Sequence, residues 1–473
     1  MVRQVLDAAR FEEAAIGRLL ECPDPRQITR IRAGVLGYRT RGDSALASLC
    51  RLFLMERAES RDALRRSLGS ESVDVLLQAR LVTEAGGSIL PLVALRTAGR
   101  LRLISDLKSE HRDGRRDFVL GSGPMATMLC DMAVPGPHRR GLDLGCGNGV
   151  IACRLASQVE EVVATDLSAR AVHFAGFNAA LNDLPTVSAR TGDLLAPVAG
   201  ERFDLILSNP PMVLAPESTY LYRDGGSEIC ARIVREAPAH LTPGGCLQML
   251  CNWPERAGAN WRDAPAAWFE ASGCDAWVLR LHSLDAVTYA DSWLRQQPGA
   301  PPPTEADIAC WADHLQAQGA DAVGGGLLIM RPAQGRPPVT TLRDAPPIGA
   351  DSGVAVARLM AAHACLAARG RDQALLDLRL RPAPELQFRE TRVVREGGWQ
   401  LLRHRLQLAQ GLGFALHMDE ELIAVLACLD GRRTVAEAVD AYASSNEADA
   451  ASLLDRLPDA IRALLRLGMV APV

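Results

Sequence analysis

Residues 141–153 read GLDLGCGNGVIAC. A short apolar run meets three glycines at alternate positions, Gly145, Gly147 and Gly149, and helix-forming residues resume at once. A chain written this way builds a strand, turns within a few residues through conformations that glycine adopts freely, and starts a helix. The same glycines let the backbone approach a ligand that a Cβ would exclude. Strand and helix signals go on alternating from about Asp106 to Pro347, which predicts a largely parallel sheet with helices on both faces. A dinucleotide fold would carry its third glycine one place later, in G-x-G-x-x-G, but that position is Val150.

A second feature lies at residues 203–216, FDLILSNPPMVLAP. The run FDLILS reads as the fourth strand of the sheet, and it stops at Asn209-Pro210-Pro211. Ligands of open α/β sheets bind outside the carboxyl edges of the strands, at the switch point, so Asn209 is delivered to the ligand crevice.

Asp143-x-Gly145-x-Gly147-x-Gly149 resembles the first motif of class I S-adenosylmethionine-dependent methyltransferases. The resemblance implies S-adenosyl-L-methionine as cofactor and a Rossmann-like sheet over roughly residues 106–290. It implies a cofactor site made by Asp143, Gly145, Cys146, Gly147, Gly149, Asp166, Leu167, Asp193, Leu194 and Asn209. Asp166 closes the strand EVVATD and would take the ribose diol; Asp193, one strand later in TGDLL, would hold the adenine amino group. Upstream, Phe118, Gly121 and Gly123 stand where relatives have a segment that covers the cofactor, or in a linker.

Asn-Pro-Pro also resembles the [Asn/Asp]-Pro-Pro-[Tyr/Phe/Trp] signature of methyltransferases that act on planar nitrogens, among them release-factor glutamine and ribosomal RNA guanine enzymes. An amide or aryl amine nitrogen has a delocalised lone pair and is a poor nucleophile. The Asn209 side-chain oxygen and the Pro210 carbonyl are implied as the catalytic pair: each accepts one N–H, and together they bend the nitrogen toward sp³. Pro211, Met212 and Tyr222 are expected against the substrate. Met212 stands where relatives carry an aromatic ring, so Tyr220, Tyr222 and Trp253 are candidates to stack on it instead. YLYRDGGSE offers Arg223, Asp224, Gly225 and Gly226 either as a substrate loop or as a helix cap, and Asn252 joins Trp253 at the end of the fifth strand.

Composition bounds the rest. A formal charge of −4 over 473 residues gives no global basic footprint for nucleic acid. Lys108 is the only lysine, which argues against lysine chemistry. Twelve cysteines without a C-x-x-C pair read as reduced, mostly buried thiols, and no metal site is expected. No apolar run reaches the roughly 18 residues of a membrane span, no secretory signal is evident, and the expected location is cytoplasmic.

The expected fold class is α/β, with a methyltransferase domain at 106–347 between a winged-helix-like domain at 1–105 and a C-terminal α+β accessory domain at 348–473, helical and winged-helix-like at its end. In the first of these, three helices precede two strands around Gly86-Gly87, Ser60 is placed to cap the second helix, and the first 118 residues carry five net positive charges. In the last, ALLDLRL and WQLLRHRL read as strands. The expected function is N-methylation of an amide, amine or guanidine nitrogen of a protein, peptide or small molecule. A base in rRNA or DNA is the alternative substrate, with nucleic acid then the partner; a cofactor-binding regulator without catalysis is the third reading.

Overall fold

Apolar runs that are buried on both faces can pair only with one another, and in this chain they form a single large sheet. The computed structural model describes residues 1–22, 31–108, 110, 117–216, 227–296, 301–369, 371–395 and 397–473. Its central strands are β6 (His138–Leu144), β7 (Val159–Asp166), β8 (Val187–Thr191), β9 (Phe203–Ser208), β10 (Leu241–Glu255), β11 (Cys274–Asp285), β12 (Ala322–Pro332) and β13 (Thr340–Asp344). They lie in the order β13-β11-β12-β10-β9-β6-β7-β8. The run from β10 to β8 is parallel, and β12 is antiparallel to both of its neighbours. Val162, Val163, Ala164, Leu205, Ile206 and Leu207 are all buried, the near-continuous apolar reading expected of parallel strands covered on both sides.

Register sets the site. Leu144 pairs with Thr165 on one side and Ser208 on the other, so β6, β7 and β9 end level with one another. The connection order reverses between β6 and β9, which makes this edge the switch point. In β12, Gly324, Gly325 and Gly326 leave room for neighbouring side chains: a Cβ on them would lie 2.4 Å from Trp253 Nε1, from the His282 ring and from the Leu279 carbonyl respectively.

The chain divides into two compact units, residues 1–130 with 137–343, and residues 131–136 with 344–473. The change of architecture after residue 105 therefore falls inside the first unit. Its early part contains helix α4 (Ala45–Leu49), strand β1 (Glu59–Ser60), helices α5 (Arg61–Leu68) and α6 (Ser70–Gln78), and strands β2 (Val82–Ala85) and β3 (Ser88–Pro91); helices α1 (Val2–Ala8), α2 (Glu13–Leu19) and α3 (Ala33–Arg39) precede them. The Ser60 hydroxyl accepts the Ala63 N–H at 3.1 Å, as a cap of α5 should. Gly86 and Gly87, at φ +56° and +76°, make the two-residue turn between β2 and β3.

The seam between these modules is polar as well as apolar. Strand β5 (Leu101–Ser105), hairpin partner of β4 (Ala94–Ala98), runs beside helix α9 (Ala169–Leu181). Helices α7 (Pro124–Asp131) and α8 (Val150–Leu155) come earlier in the chain. Asn178 accepts the Ile104 N–H at 2.8 Å and donates to the Ile104 carbonyl at 3.0 Å, while Asn182 does the same for Arg102 at 2.9 and 2.8 Å. Two side-chain amides thus satisfy a strand edge that a further strand would otherwise pair. Phe174, Ala171 and Leu181 join Leu95 and Ile104 in one core, and the buried Asp106 carboxylate holds the Val119 N–H and Arg170.

In the second unit, helices α14 (Ser352–Ala368) and α15 (Asp372–Leu376) are followed by β14 (Leu380–Pro382), the hairpin β15 (Leu386–Arg395) and β16 (Gly398–Leu408), and β17 (Ala415–His417). Helices α16 (Glu420–Leu426), α17 (Val435–Asn446) and α18 (Ala450–Arg466) lead to β18 (Val470–Pro472), which pairs with β14. WQLLRHRL is a strand, but ALLDLRL is not: its first three residues end α15 and only its last, Leu380, enters β14. Leu375 and Leu376 are buried on that helix, and a short apolar run does not distinguish a buried strand from a buried helical turn.

Candidate active site

The glycine loop leaves β6 at Leu144 and enters helix α8. Further along the first unit come α10 (Glu228–Glu236), α11 (Asp263–Ala267), α12 (Ala286–Gln296) and α13 (Glu305–Ala317). Gly145, Gly147 and Gly149 have φ of +76°, +53° and +78°, the left-handed region that strains other residues. At Gly149 space is also short, since a Cβ would lie 2.8 Å from Ala175. At Gly147 it is open.

Two carboxylates organise the loop. Asp143 is fully buried, and its Oδ2 accepts the Ala152 N–H of α8 at 2.9 Å. Its Oδ1 has no partner among the described residues. Burial, with Asp166 nearby, pushes the Asp143 carboxyl up to about 7 against the opposing bond from Ala152. Asp166 accepts the N–H groups of Gly147 at 2.9 Å and Ser168 at 2.8 Å; burial raises its carboxyl, and these two bonds oppose the rise. Cys146 is buried, and its thiol is raised by that burial, which excludes it as a thiolate nucleophile.

Along the same edge Leu167 is 73% exposed, a large apolar side chain beside the half-buried Asp166. Leu194 has φ +44°, and its carbonyl accepts from Thr165 Oγ1 at 3.4 Å. Asp193 receives Arg232 of α10 at 2.7 Å on Oδ2. Phe118, upstream, is buried, and the Ser122 hydroxyl beside Gly121 and Gly123 is buried with no partner among the described residues.

Asn209 emerges next to the loop. Ser208 Oγ donates to the Leu144 carbonyl at 2.8 Å, tying the end of β9 to the end of β6, and a Cβ on Gly145 would lie 4.0 Å from Pro210 Cα. Asn209 is half-buried, Pro210 buried and Pro211 half-buried, and the Asn209 amide makes no hydrogen bond to a described residue. Met212 is 7% exposed, so the fourth position of the signature points into protein. The buried run Val213–Ala215 follows, and the Leu214 N–H donates to the Tyr289 hydroxyl at 3.0 Å. Asn252, at the end of β10, donates to the same hydroxyl at 3.0 Å. Tyr289 of α12, which sequence reasoning did not single out, thus anchors the segment after Asn-Pro-Pro to the central sheet.

Trp253 is fully buried, stacked on Trp261 at 5.7 Å and bonded to Glu255 at 3.2 Å, so it is a core residue and no stacking platform. Tyr220, Tyr222, Arg223, Asp224, Gly225 and Gly226 lie outside the described residues. Among the described residues no group of three His, Cys, Asp or Glu side chains is placed to hold a metal ion, and no helix is long and apolar enough to cross a membrane.

A sheet with this order and β12 antiparallel to both neighbours, a glycine loop after its first strand, an acid closing the second and Asn-Pro after the fourth defines a class I methyltransferase domain. Comparison with known proteins agrees. Residues 125–258 match the family model described as methyltransferase small domain, and residues 8–92 and 358–472 match two models that are each described as a domain of unknown function. The release factor glutamine methyltransferase of Xylella fastidiosa is 37% identical over 135 residues, covering 25% of this chain and 49% of that protein. The protein of the same name from Cereibacter sphaeroides is 37% identical over 193 residues, 36% of this chain and 66% of its own length. Ribosomal RNA small subunit methyltransferase C of Alcanivorax borkumensis is 36% identical over 111 residues, covering 24% and 31%. The chain spans about half the length of the first of these relatives. Its central segment is a class I S-adenosylmethionine-dependent methyltransferase domain, similar to the release-factor glutamine and rRNA enzymes.

Proposed function

We propose that this chain N-methylates a planar nitrogen of a macromolecule, first of all a side-chain amide of a protein. The observation that carries the reading is the Asn209 amide, without a hydrogen bond to a described residue, beside Pro210 at the end of β9 and against the glycine loop. The residues present fit the cofactor: Asp143 keeps a buried oxygen without a partner among the described residues, Gly147 has open space over it, and the Leu167 side chain is exposed. In this reading Asp166 holds the ribose, Asp193 the adenine amino group through its second oxygen, and Leu167 and Leu194 the adenine faces. S-adenosylmethionine, when bound, supplies an electrophilic methyl group on a sulfonium sulfur.

Asn209 and Pro210 then do the work of the protein. Their two oxygens accept the two N–H groups of the substrate amide and turn its lone pair toward the methyl carbon. Fixing that approach lowers a barrier by roughly 7–11 kcal/mol in favourable cases. No general base among the histidines is needed. Tyr289 and Asn252 are positioning residues behind the pair. Protein ranks above nucleic acid because two of the three relatives named above are glutamine enzymes; the rRNA relative supports the second reading.

The element order from α4 to β3, with sheet order β1-β3-β2, supports a winged helix in residues 1–105 as a substrate-contact module beside the catalytic domain of 106–347, with 348–473 as an accessory domain. Twelve cysteines, nine of them buried and none in a C-x-x-C pair, suit a reducing compartment, the cytoplasm. Methyl-labelled cofactor offered with separate protein, RNA and small-molecule fractions tests the reading. Label is expected in protein, and Asn209→Ala is expected to lower transfer by roughly 10²–10³-fold while still binding cofactor, with a far smaller loss of affinity. Label confined to RNA would establish the second reading; full biological activity of Asn209→Ala would establish a regulator.

A further inference from the structure

The hairpin of β15 and β16 is two-faced in a way that its own stability does not require. Directly opposed residues share a face, and successive residues alternate. The pairs Phe388–Leu406, Glu390–His404, Arg392–Leu401 and Val394–Trp399 therefore form one face. Gln387–Gln407, Arg389–Arg405, Thr391–Arg403 and Val393–Gln400 form the other, which ends at Arg395 opposite Gly398. A bulge between Thr391 and Arg392 takes up Leu402 and keeps this segregation over the whole ribbon. With ten residues in β15, the ribbon is about 34 Å long.

The second face carries Arg389, Arg395, Arg403 and Arg405 and, among the described residues, no carboxylate. Arg389, Arg395 and Arg403 are exposed. None of the four forms an ion pair with a described residue, whereas Arg392 on the other face pairs with Glu390 at 3.0 Å. Arg389 and Arg405 stand directly opposite each other, an arrangement of like charges that destabilises a strand pair. At the tip, next to Gly397 and Gly398, Trp399 is 69% exposed.

We propose that this hairpin is a binding arm for single-stranded RNA, with Arg389, Arg395, Arg403 and Arg405 on the phosphates of a strand that runs along the second face and turns over the tip, where a base stacks on Trp399 of the first face. A polyanion removes the repulsion between Arg389 and Arg405, which is the charge complementarity that picks the occupant. An acidic peptide would satisfy the guanidinium groups but leave Trp399 without a flat partner. Splayed bases that stack on aromatic rings are a standing feature of RNA loops and ends. The arm lies outside the methyltransferase domain, so the inference goes beyond the proposed reaction and does not depend on it.

The test uses the full chain without cofactor, a fluorescently labelled mixed-sequence RNA strand, the DNA strand of the same sequence and polyglutamate, with anisotropy read across a salt series. Four phosphate contacts predict a slope of log K against log salt of about −2.8, a loss of roughly 50-fold between 50 and 200 mM. The combined variant Arg389→Gln, Arg395→Gln and Arg403→Gln should flatten that slope by about 2. Trp399→Ala should weaken binding roughly tenfold with the slope unchanged. Both variants replace exposed side chains, and unchanged circular dichroism verifies that they fold. Absence of RNA binding at the lowest salt, an unaltered slope in the arginine variant, equal affinity for the DNA strand, or tighter binding of polyglutamate would each overturn the proposal.

Discussion

Replacing Tyr289 by phenylalanine deletes one oxygen and nothing else, yet that oxygen accepts two N–H groups. Leu214 and Asn252, the donors, are 1% and 2% exposed, and Tyr289 itself is fully buried, so water does not reach either donor without opening the fold. Each buried donor left unsatisfied costs roughly 1–3 kcal/mol, which puts the total at roughly 2–6 kcal/mol if neither finds a new partner. Urea unfolding followed by tryptophan fluorescence reads this cost in the right place. Trp253, Trp261, Trp268, Trp277, Trp293 and Trp311 belong to the first unit and only Trp399 to the second. Methyl transfer reports the other consequence. Leu214 lies five residues after Asn209, and a displacement of about 1 Å at a reacting group costs on the order of 10²-fold. We therefore expect kcat to fall by one to two orders of magnitude while cofactor affinity, which the proposed site assigns to β6, β7 and β8, stays within about twofold. The Asn252→Ala change should cost less in the Tyr289→Phe background than in the native one, because the bond it removes is already gone. A Tyr289→Phe protein within about 1 kcal/mol of the native stability and with unchanged kcat would refute the anchoring argument.

The raised Asp143 carboxyl makes stability depend on pH. Its proton is released near 3.8 in the unfolded chain and near 7 in the folded one, so between these values the folded state holds more protons. Stability of the cofactor-free protein should then decline as pH rises through that window, by up to roughly 4 kcal/mol, and level off above it. Asp143→Asn should flatten this slope in calorimetric scans, and an identical slope in the variant would show that other groups dominate. Asn178→Ala removes the amide that binds both carbonyl and N–H of Ile104 and the Asn148 carbonyl of the glycine loop. It should destabilise the first unit by roughly 2–4 kcal/mol and weaken cofactor binding in calorimetry, whereas Asn182→Ala, one turn away and without a bond to the loop, should affect stability alone.

The parts of the site that the sequence made legible are those whose geometry is local. Three glycines at alternate positions after an apolar run permit the left-handed turns that the loop adopts, and a proline pair, with no N–H to give the ladder, ends a strand. Asn209 follows from its place at a strand end, Asp143, Asp166 and Asp193 come from the resemblance to class I methyltransferases, and the structure sets all four along one edge of the sheet. Trp253 was misleading for the opposite reason. A large aromatic at a strand end has the right chemistry for stacking, but Gly324 and Gly326 on a strand some 70 residues later give it a buried slot.

What the sequence determined by itself, then, was the glycine turn and the strand stop of the crevice and the strand at WQLLRHRL, because these depend on periodicity and on φ at single residues. Tertiary structure alone decided that Tyr289 holds the loop after Asn209, that Asn178 and Asn182 bind the edge of β5, and that residues 1–105 share a unit with the sheet. Those outcomes rest on buried polar groups finding partners between 74 and 80 positions away in the chain. No local preference encodes such a pairing; it is fixed only when the apolar faces have packed and left each donor a single acceptor within reach.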